Sequence, residues 1–305
     1  MFKPIPLVFL VRVEATLPSL HDNTADLDRL KATLAESLPE QVRGTVLHIP
    51  FACTADIAAS FRVAGFTGYA VVQYEQDRLV LIEFFAKAPT VLPALALDLG
   101  STHLEATLLD CLTGETLART TALNRQVQHG ADILTRIHFA EQKGEKGEGG
   151  EGGAMLQEAV IASINDLIMD LIMELCREVQ VRPQDILAMA ISGNTTMVHL
   201  LLGLNPRHIC REPYIPLVNA PDPFLAREIG LQLHPQATVR VLPGKGGYFG
   251  GDLISGILAT GLDQNQEISM LIDVGTNAEV VMGNSEWLIA CAGAAGPALE
   301  GGVAR

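Results

Sequence analysis

The chain has 305 residues, 48% of them apolar, and a formal net charge of −14. That length and apolar content suffice for ordinary buried cores and predict about two domains. The acidic balance excludes the uniformly positive surface that nucleic acid or an anionic membrane requires, yet leaves room for a small anion held by backbone N–H groups.

In chain order, "PIPLVFLV", residues 4 to 11, is too short to span a membrane, runs directly into Arg12 and Glu14, and has no small-residue cleavage site. It predicts a strand and no export. "HDNTADLDRLKATLAESLPE" sets Leu27, Leu30, Leu34 and Leu38 at helical spacing, with Asn23 or Thr24 as cap and Pro39 as stop. Residues 45–50, 69–74 and 79–85 read as strands, and "TADIAASFRVAG" reads as a helix ended by Gly65. Residues 1–92 are therefore expected to form a small α/β domain, closed by the proline-flanked "APTVLP".

The glycine-rich "EQKGEKGEGGEGG", residues 141–153, predicts a flexible loop insertion that buries nothing. In the long helix that follows, Ile164, Leu167, Ile168, Leu171, Ile172 and Leu175 mark one face, and Asp166, Asp170 and Glu174 the other. Those acids argue against a membrane helix. Residues 186–204 then run strand, polar turn at Gly193–Thr195, helix; residues 239–261 repeat that order through a glycine-rich turn, with Asp252 at the helix start. Alternating strands and helices indicate an α/β fold. The five cysteines, Cys53, Cys111, Cys176, Cys210 and Cys291, form no C-x-x-C pair. Free thiols in a reducing cytoplasm are expected.

One motif occurs twice. "ALALDLGSTHLEATLLD", residues 94–110, places Asp98, Gly100, Ser101 and Thr102 between two strand-like runs, and "SMLIDVGTNAEVVMGN", residues 269–284, places Asp273, Gly275, Thr276 and Asn277 in the same way. Each turn alone is compatible with an ordinary β-hairpin, because hairpin turns prefer these residues anyway. Alternatively, Gly100 and Gly275 let the backbone approach phosphate oxygens, so that N–H groups and the hydroxyls of Ser101, Thr102 and Thr276 form an anion nest. Asp98 and Asp273 would then hold hydrated magnesium, which keeps several waters and uses few direct carboxylates.

Two such turns clamp a polyphosphate only when they belong to facing halves of a duplicated fold. The pair resembles the phosphate motifs of the acetate kinase, sugar kinase, heat-shock chaperone and actin (ASKHA) superfamily, whose ribonuclease-H-like lobes close on ATP. More narrowly, "ISGNTTMVHLLLGLNP", "REPYIP", "LPGKGGYFGGDLISGIL" and "LIDVGTNAEVVMGNSEWLIACAGAAGPALEGG" resemble the ATPase domain of the reductive activators of corrinoid proteins. "LPSLHDNTADLDRL" resembles the linker that precedes that domain, so the likeness covers nearly the whole chain.

The resemblance implies ATP and magnesium as cofactors, a corrinoid protein of a methyl-transfer system as partner, and ATP-driven return of Co(II) corrinoid to Co(I). It is also compatible with a homodimer. It divides the chain into the domain at 1–92, a first ATPase lobe at 93–240 and the start of a second at 241–305. Relatives carry an N-terminal iron-sulfur ferredoxin domain; no C-x4-C-x2-C run occurs here, so this chain is not expected to bind the cluster. The family continues past "GGVAR" into an adenosine-contacting segment, so a fragment that binds ATP weakly or not at all is expected. A small-molecule kinase of the same superfamily, or an interaction module without turnover, remain the alternatives.

In this frame Asp252 either serves the helix dipole, worth roughly 0.3–1 kcal/mol, or acts catalytically, orienting the attacking water or binding magnesium near the γ-phosphate. Gly193, Asn194 and Thr195 are a cap or an anion-binding turn. Lys245 reads as a solvated loop lysine and His199 as a packed core histidine rather than a cobalt-facing ligand. Glu105 and Glu279 follow their turns on strands and are assigned no chemistry.

Overall fold

A computed structural model describes residues 6–75, 77–142, 150–175, 181–274 and 277–294. The N-terminal unit comprises β1 (Val8–Glu14), α1 (Asp26–Ser37), β2 (Val46–His48), α2 (Phe51–Val63), β3 (Thr67–Glu75) and β4 (Arg78–Phe85). Its sheet runs β1-β3-β4-β2, antiparallel except for the parallel β2–β4 pair.

Both faces of this sheet are covered, which explains why β3 and β4 read as nearly unbroken apolar runs instead of alternating ones. On one face Val72, Leu79 and Leu81 meet Leu30, Leu34 and Phe61 of the two helices. On the other, Val71, Val80 and Ile82 pack against Leu92, Ala94 and Leu187 of the following unit. Gln73 lies on that second face, fully satisfied: its Nε2 donates to Leu187 O (2.7 Å) and Gln236 O (2.9 Å), and its Oε1 accepts from Thr238 Oγ1 (3.0 Å). A buried amide with its bonds filled fixes register between units, the hydrogen bonds offsetting its desolvation.

The second sheet is built from β5 (Pro93–Leu99), β6 (His103–Asp110), β7 (Thr116–Leu123), α3 (Ile133–Ala140), α4 (Glu151–Leu175), β8 (Ala188–Gly193), α5 (Thr195–Leu201), β9 (Phe224–Leu225) and β10 (Thr238–Val241). Its order is β7-β6-β5-β8-β10-β9. The meander β5–β6–β7 is antiparallel, and β8 and β10 add to it in parallel. Helix α4 carries the chain across one face, where Leu95, Leu97 and Leu99 are buried with Ile164, Leu167 and Leu171. Asp110 is buried where β6 ends; its Oδ1 accepts from Leu92 N (2.9 Å) and Leu112 N (3.0 Å), tying the start of β5 to the hairpin.

Helix α6 (Gly251–Thr260) then leads to β11 (Ser269–Val274), β12 (Asn277–Gly283) and β13 (Leu288–Ala294), a third, antiparallel sheet that repeats the β5–β6–β7 meander. One face packs Leu271 and Val281 against Leu253 of α6.

Two local expectations are corrected. Helix α1 is capped by Ala25, with no side-chain cap bond, not by Asn23 or Thr24. The cause is Arg29, which is buried and binds the Asp22 carboxylate, Thr16 Oγ1 and the carbonyls of Asp22 and Thr24, so residues 22–24 are drawn into a loop around it. Nor does the glycine-rich insertion run to residue 153 without burying anything. Residues 143–149 lie outside the described residues, but Glu151, Gly152 and Gly153 form the first turn of α4 and Gly152 is buried. A Cβ on Gly152 would fall 2.0 Å from Phe139 O, so a glycine lets α4 start directly against α3.

Candidate active site

The site is assembled at the ends of β5, β8 and β11 and at the start of α6. Gly100 turns β5 into β6; a Cβ there would lie 2.2 Å from His103 O, a separation only glycine permits. Beneath the turn is Asn124, completely buried at the end of β7. Its Nδ2 donates to Gly100 O (3.0 Å), its backbone N donates to Thr102 O (2.8 Å), and its Oδ1 accepts from Gln126 N (3.0 Å). The turn carrying Ser101 and Thr102 is thereby braced from below.

At the end of β8, Gly193 meets β5 closely: a Cβ would stand 2.9 Å from Leu99 O. Asn194 is the cap of α5, accepting from Met197 N (2.9 Å), and Thr195 Oγ1 donates to Gly246 O (2.9 Å). Both side chains are thus used to hold α5 and the glycine-rich loop. Asn219 anchors that loop from the far side, its O accepting from Gly244 N (2.7 Å) and its Oδ1 from Gly246 N (2.9 Å). Lys245 is exposed. His199 is buried with both ring nitrogens engaged, Nδ1 with Thr195 O (2.7 Å) and Nε2 with Leu217 N (3.1 Å), so its place is in the core. Burial holds it below the usual histidine range.

Gly250 lets α6 begin against the β8–α5 turn: a Cβ there would sit 2.5 Å from Asn194 Cα and 2.6 Å from both Gly193 O and Asp252 Oδ1. Asp252 is the second residue of α6, its Oδ1 accepting from Leu253 N (2.9 Å). Burial, and then the charge of Asp273, push its carboxyl upward. Asp98 is exposed, yet the surrounding protein crowds it. That desolvation, followed by the negative charges of Asp252, Glu105 and Asp273, pushes it up to about 6. Carboxylates from β5, α6 and β11 therefore share one electrostatic field.

The two hairpins are alike but not identical. Asp98 stands opposite Glu105 and Asp273 opposite Glu279, while four residues separate the pair Leu99–Leu104 and three separate Val274–Ala278. Gly275 and Thr276 lie outside the described residues, and Asn277 opens β12 opposite Ala294. Sequence reasoning missed Asn124 and Asn219 as parts of this region, and named Glu105 without giving it a role. The cross-strand Asp–Glu pairing was present as a repeated acid after each turn; the two asparagines carried no signal.

Among the described residues, no group of three or more His, Cys, Asp or Glu side chains is placed to hold a metal ion directly, and no helix is long and apolar enough to cross a membrane. A cavity of about 440 Å³, lined by Glu83, Arg182, Asp185 and His234 among others, opens between the first two sheets, away from the carboxylate cluster.

The duplicated meander, the parallel additions at β8 and β10, and the repeated Asp–Gly motif of the sequence define an ASKHA fold, of the ribonuclease-H-like actin and sugar kinase superfamily, preceded by a small α/β domain. The chain belongs to the RACo family: residues 93–265 match the RACo middle region, 2–87 the RACo linker region, and 267–305 the C-terminal ASKHA domain of RACo. The corrinoid activation enzyme RamQ of Eubacterium limosum is 31% identical over 207 residues, 68% of this chain and 33% of RamQ. The [Co(II) methylated amine-specific corrinoid protein] reductase of Methanosarcina barkeri is 25% identical over 216 residues, 68% of this chain and 37% of the reductase. A solved reductive activator for corrinoid, iron-sulfur protein is 33% identical with a TM-score of 0.86, covering 100% of this chain and 46% of its own. The chain thus spans between a third and a half of these relatives.

Proposed function

We propose that this chain contributes the nucleotide site of an ATP-driven reductive activator, which returns a Co(II) corrinoid protein to Co(I). The observation that carries the reading is the convergence of Asp98, Asp252 and Asp273 from three elements on one electrostatic field, beside the tight glycine turn at Gly100. The named relatives supply the corrinoid direction.

The donor set fits a hydrated magnesium ion. Desolvation, and then the charges of Asp252, Glu105 and Asp273, raise Asp98, and a divalent cation would relieve the second of these while needing few direct carboxylates. When bound, magnesium would neutralise charge on the phosphate oxygens. The turns at Gly100–Thr102 and Gly275–Asn277 grip the phosphates through backbone N–H groups and hydroxyls, with Asn124 keeping the first turn in shape. Asp252 orients the attacking water, since phosphoryl transfer depends on positioning more than on covalent chemistry. Water oxygen bonds to the γ-phosphorus, the bond to the bridging oxygen breaks, ADP leaves with that electron pair, and the water's proton passes to a phosphate oxygen or to solvent.

Closure of the two halves on nucleotide is what would reach the corrinoid partner. The test is phosphate release with magnesium and ATP, measured with and without a Co(II) corrinoid protein and an external reductant. Release that rises with the partner and accompanies Co(I) absorbance supports the reading. Background release under both conditions contradicts it.

A further inference from the structure

Directly beside Asp98 on the neighbouring strand is a hydroxyl to which neither the motif nor the resemblance gives a role. Ser192 of β8 is the register partner of Asp98 in the parallel β5–β8 pair, so the two side chains leave the sheet on the same face. Their neighbours Leu97 and Ile191 point the other way, into the core. Over the Asp98–Ser192 face lies α6, and one turn after Asp252 it presents Ser255, whose Oγ is 2.9 Å from Ser192 Oγ.

The direction of that contact follows from proton counting. Ser255 Oγ is 2.7 Å from Asp252 O, and a carbonyl only accepts, so the Ser255 hydroxyl hydrogen is spent there. A hydroxyl has one hydrogen and two lone pairs. Ser192 is therefore the donor to Ser255, and toward any other partner its oxygen can only accept. A phosphate oxygen, itself an acceptor, gains nothing from such a neighbour. Water bound to a cation does, because its lone pair faces the metal and both hydrogens point outward. Ser101 and Thr102, which the sequence assigned to phosphate, and Ser192 thus address opposite ends of the same ligand.

We infer that Ser192 is a positioning residue that accepts a hydrogen bond from a water of the hydrated divalent cation held beside Asp98, with Ser255 taking up its hydroxyl hydrogen. The inference rests on the ATP–magnesium reading above and adds a residue and a direction of hydrogen bonding to it. A purely structural alternative is that the serine pair only ties α6 to β8.

Two variants separate these. Ser192→Ala removes both the tie and the acceptor, whereas Ser255→Ala removes the tie and leaves the Ser192 oxygen in place. Binding of Mn²⁺ is followed by electron paramagnetic resonance with a non-hydrolysable ATP analogue present, and nucleotide binding is measured separately in EDTA. Ser192→Ala is expected to weaken Mn²⁺ binding about three- to tenfold, the worth of one hydrogen bond. Ser255→Ala should stay within about twofold, Ser192→Thr should restore binding, and metal-free nucleotide affinity should not change. Equal weakening by both alanine variants, or none by Ser192→Ala, would overturn the inference while leaving the ATP reading intact. A wild-type protein showing no nucleotide-dependent Mn²⁺ binding would overturn that reading, and this inference with it.

Discussion

The two Asp–Gly hairpins share a motif and an antiparallel geometry but live in different surroundings. Aligned on their aspartates, Leu95, Leu97 and Leu99 of β5 correspond to Met270, Ile272 and Val274 of β11. The first three are 0–2% exposed beneath α4, and the latter three are each 57% exposed. Local turn chemistry is enough to form the hairpin in both places. Burial is not local: it depends on which element crosses the face, and among the described residues none covers that face of β11. An open apolar sheet face of this kind is a surface for further packing.

If the hairpins are two halves of one phosphate clamp, their aspartates should matter equally despite this difference. Asp98→Asn and Asp273→Asn are each expected to abolish phosphate release while leaving the circular dichroism spectrum unchanged, since an amide fits the turn but holds a hydrated cation poorly. Loss in one variant only would break the symmetry, and restrict the clamp to the hairpin that failed.

Stability should behave in the opposite, asymmetric way. Leu97→Ala removes a buried side chain and is expected to cost about 2–5 kcal/mol, whereas Ile272→Ala should cost less than about 1 kcal/mol because its side chain is largely in solvent already. Urea unfolding of the two variants measures the contrast directly. Similar costs would mean that the face of β11 is covered in solution.

The brace under the first turn sharpens the comparison further. Asn124→Ala leaves the buried carbonyl of Gly100 without its side-chain donor and is expected to destabilise the protein by about 1–3 kcal/mol. The variant should also weaken nucleotide binding. Asn124→Asp, which cannot donate from its side chain when ionised, should not rescue either property. Unchanged nucleotide affinity in a destabilised Asn124→Ala protein would limit the residue to the fold.

The smallest effect is a pH dependence on a strand covered on both faces. Glu83 of β4 is pushed above the ordinary glutamate range by burial and then by the charge of Asp185, with Arg182 opposing. A raised folded value means that its contribution to stability is fully present below the unfolded pKa, near 4.3, and lost as pH rises through the folded value. Glu83→Gln should remove that fall from the stability–pH curve. An unchanged curve would show that Glu83 titrates as an exposed acid.

What the sequence made legible followed from local rules. The strand runs, the apolar face of α4 and the paired hairpins needed only periodicity and turn residues. Gly100 was readable as a glycine that a tight turn requires, although the atom that approaches it is His103 O of its own hairpin. Asn124, Asn219 and Ser192 were not readable, since each owes its place to a partner distant in sequence and shares its residue type with ordinary surface positions. Arg29 misled the reading of α1 for the same reason: a buried guanidinium competed with the helix for residues 22–24, and a composition-based cap rule cannot register that competition. The glycine-rich insertion misled at its end, where composition suggested slack and a tight helix crossing required glycine.

The central claim, that both hairpins bind one nucleotide through a shared hydrated cation, is tested most directly by calorimetric titration of ATP into the protein with magnesium and again in EDTA. Binding that is tighter with magnesium than in EDTA in the wild type, and loses that difference in both Asp98→Asn and Asp273→Asn, is the predicted result. Equal affinity with and without magnesium, or full magnesium dependence surviving in either variant, would contradict the account.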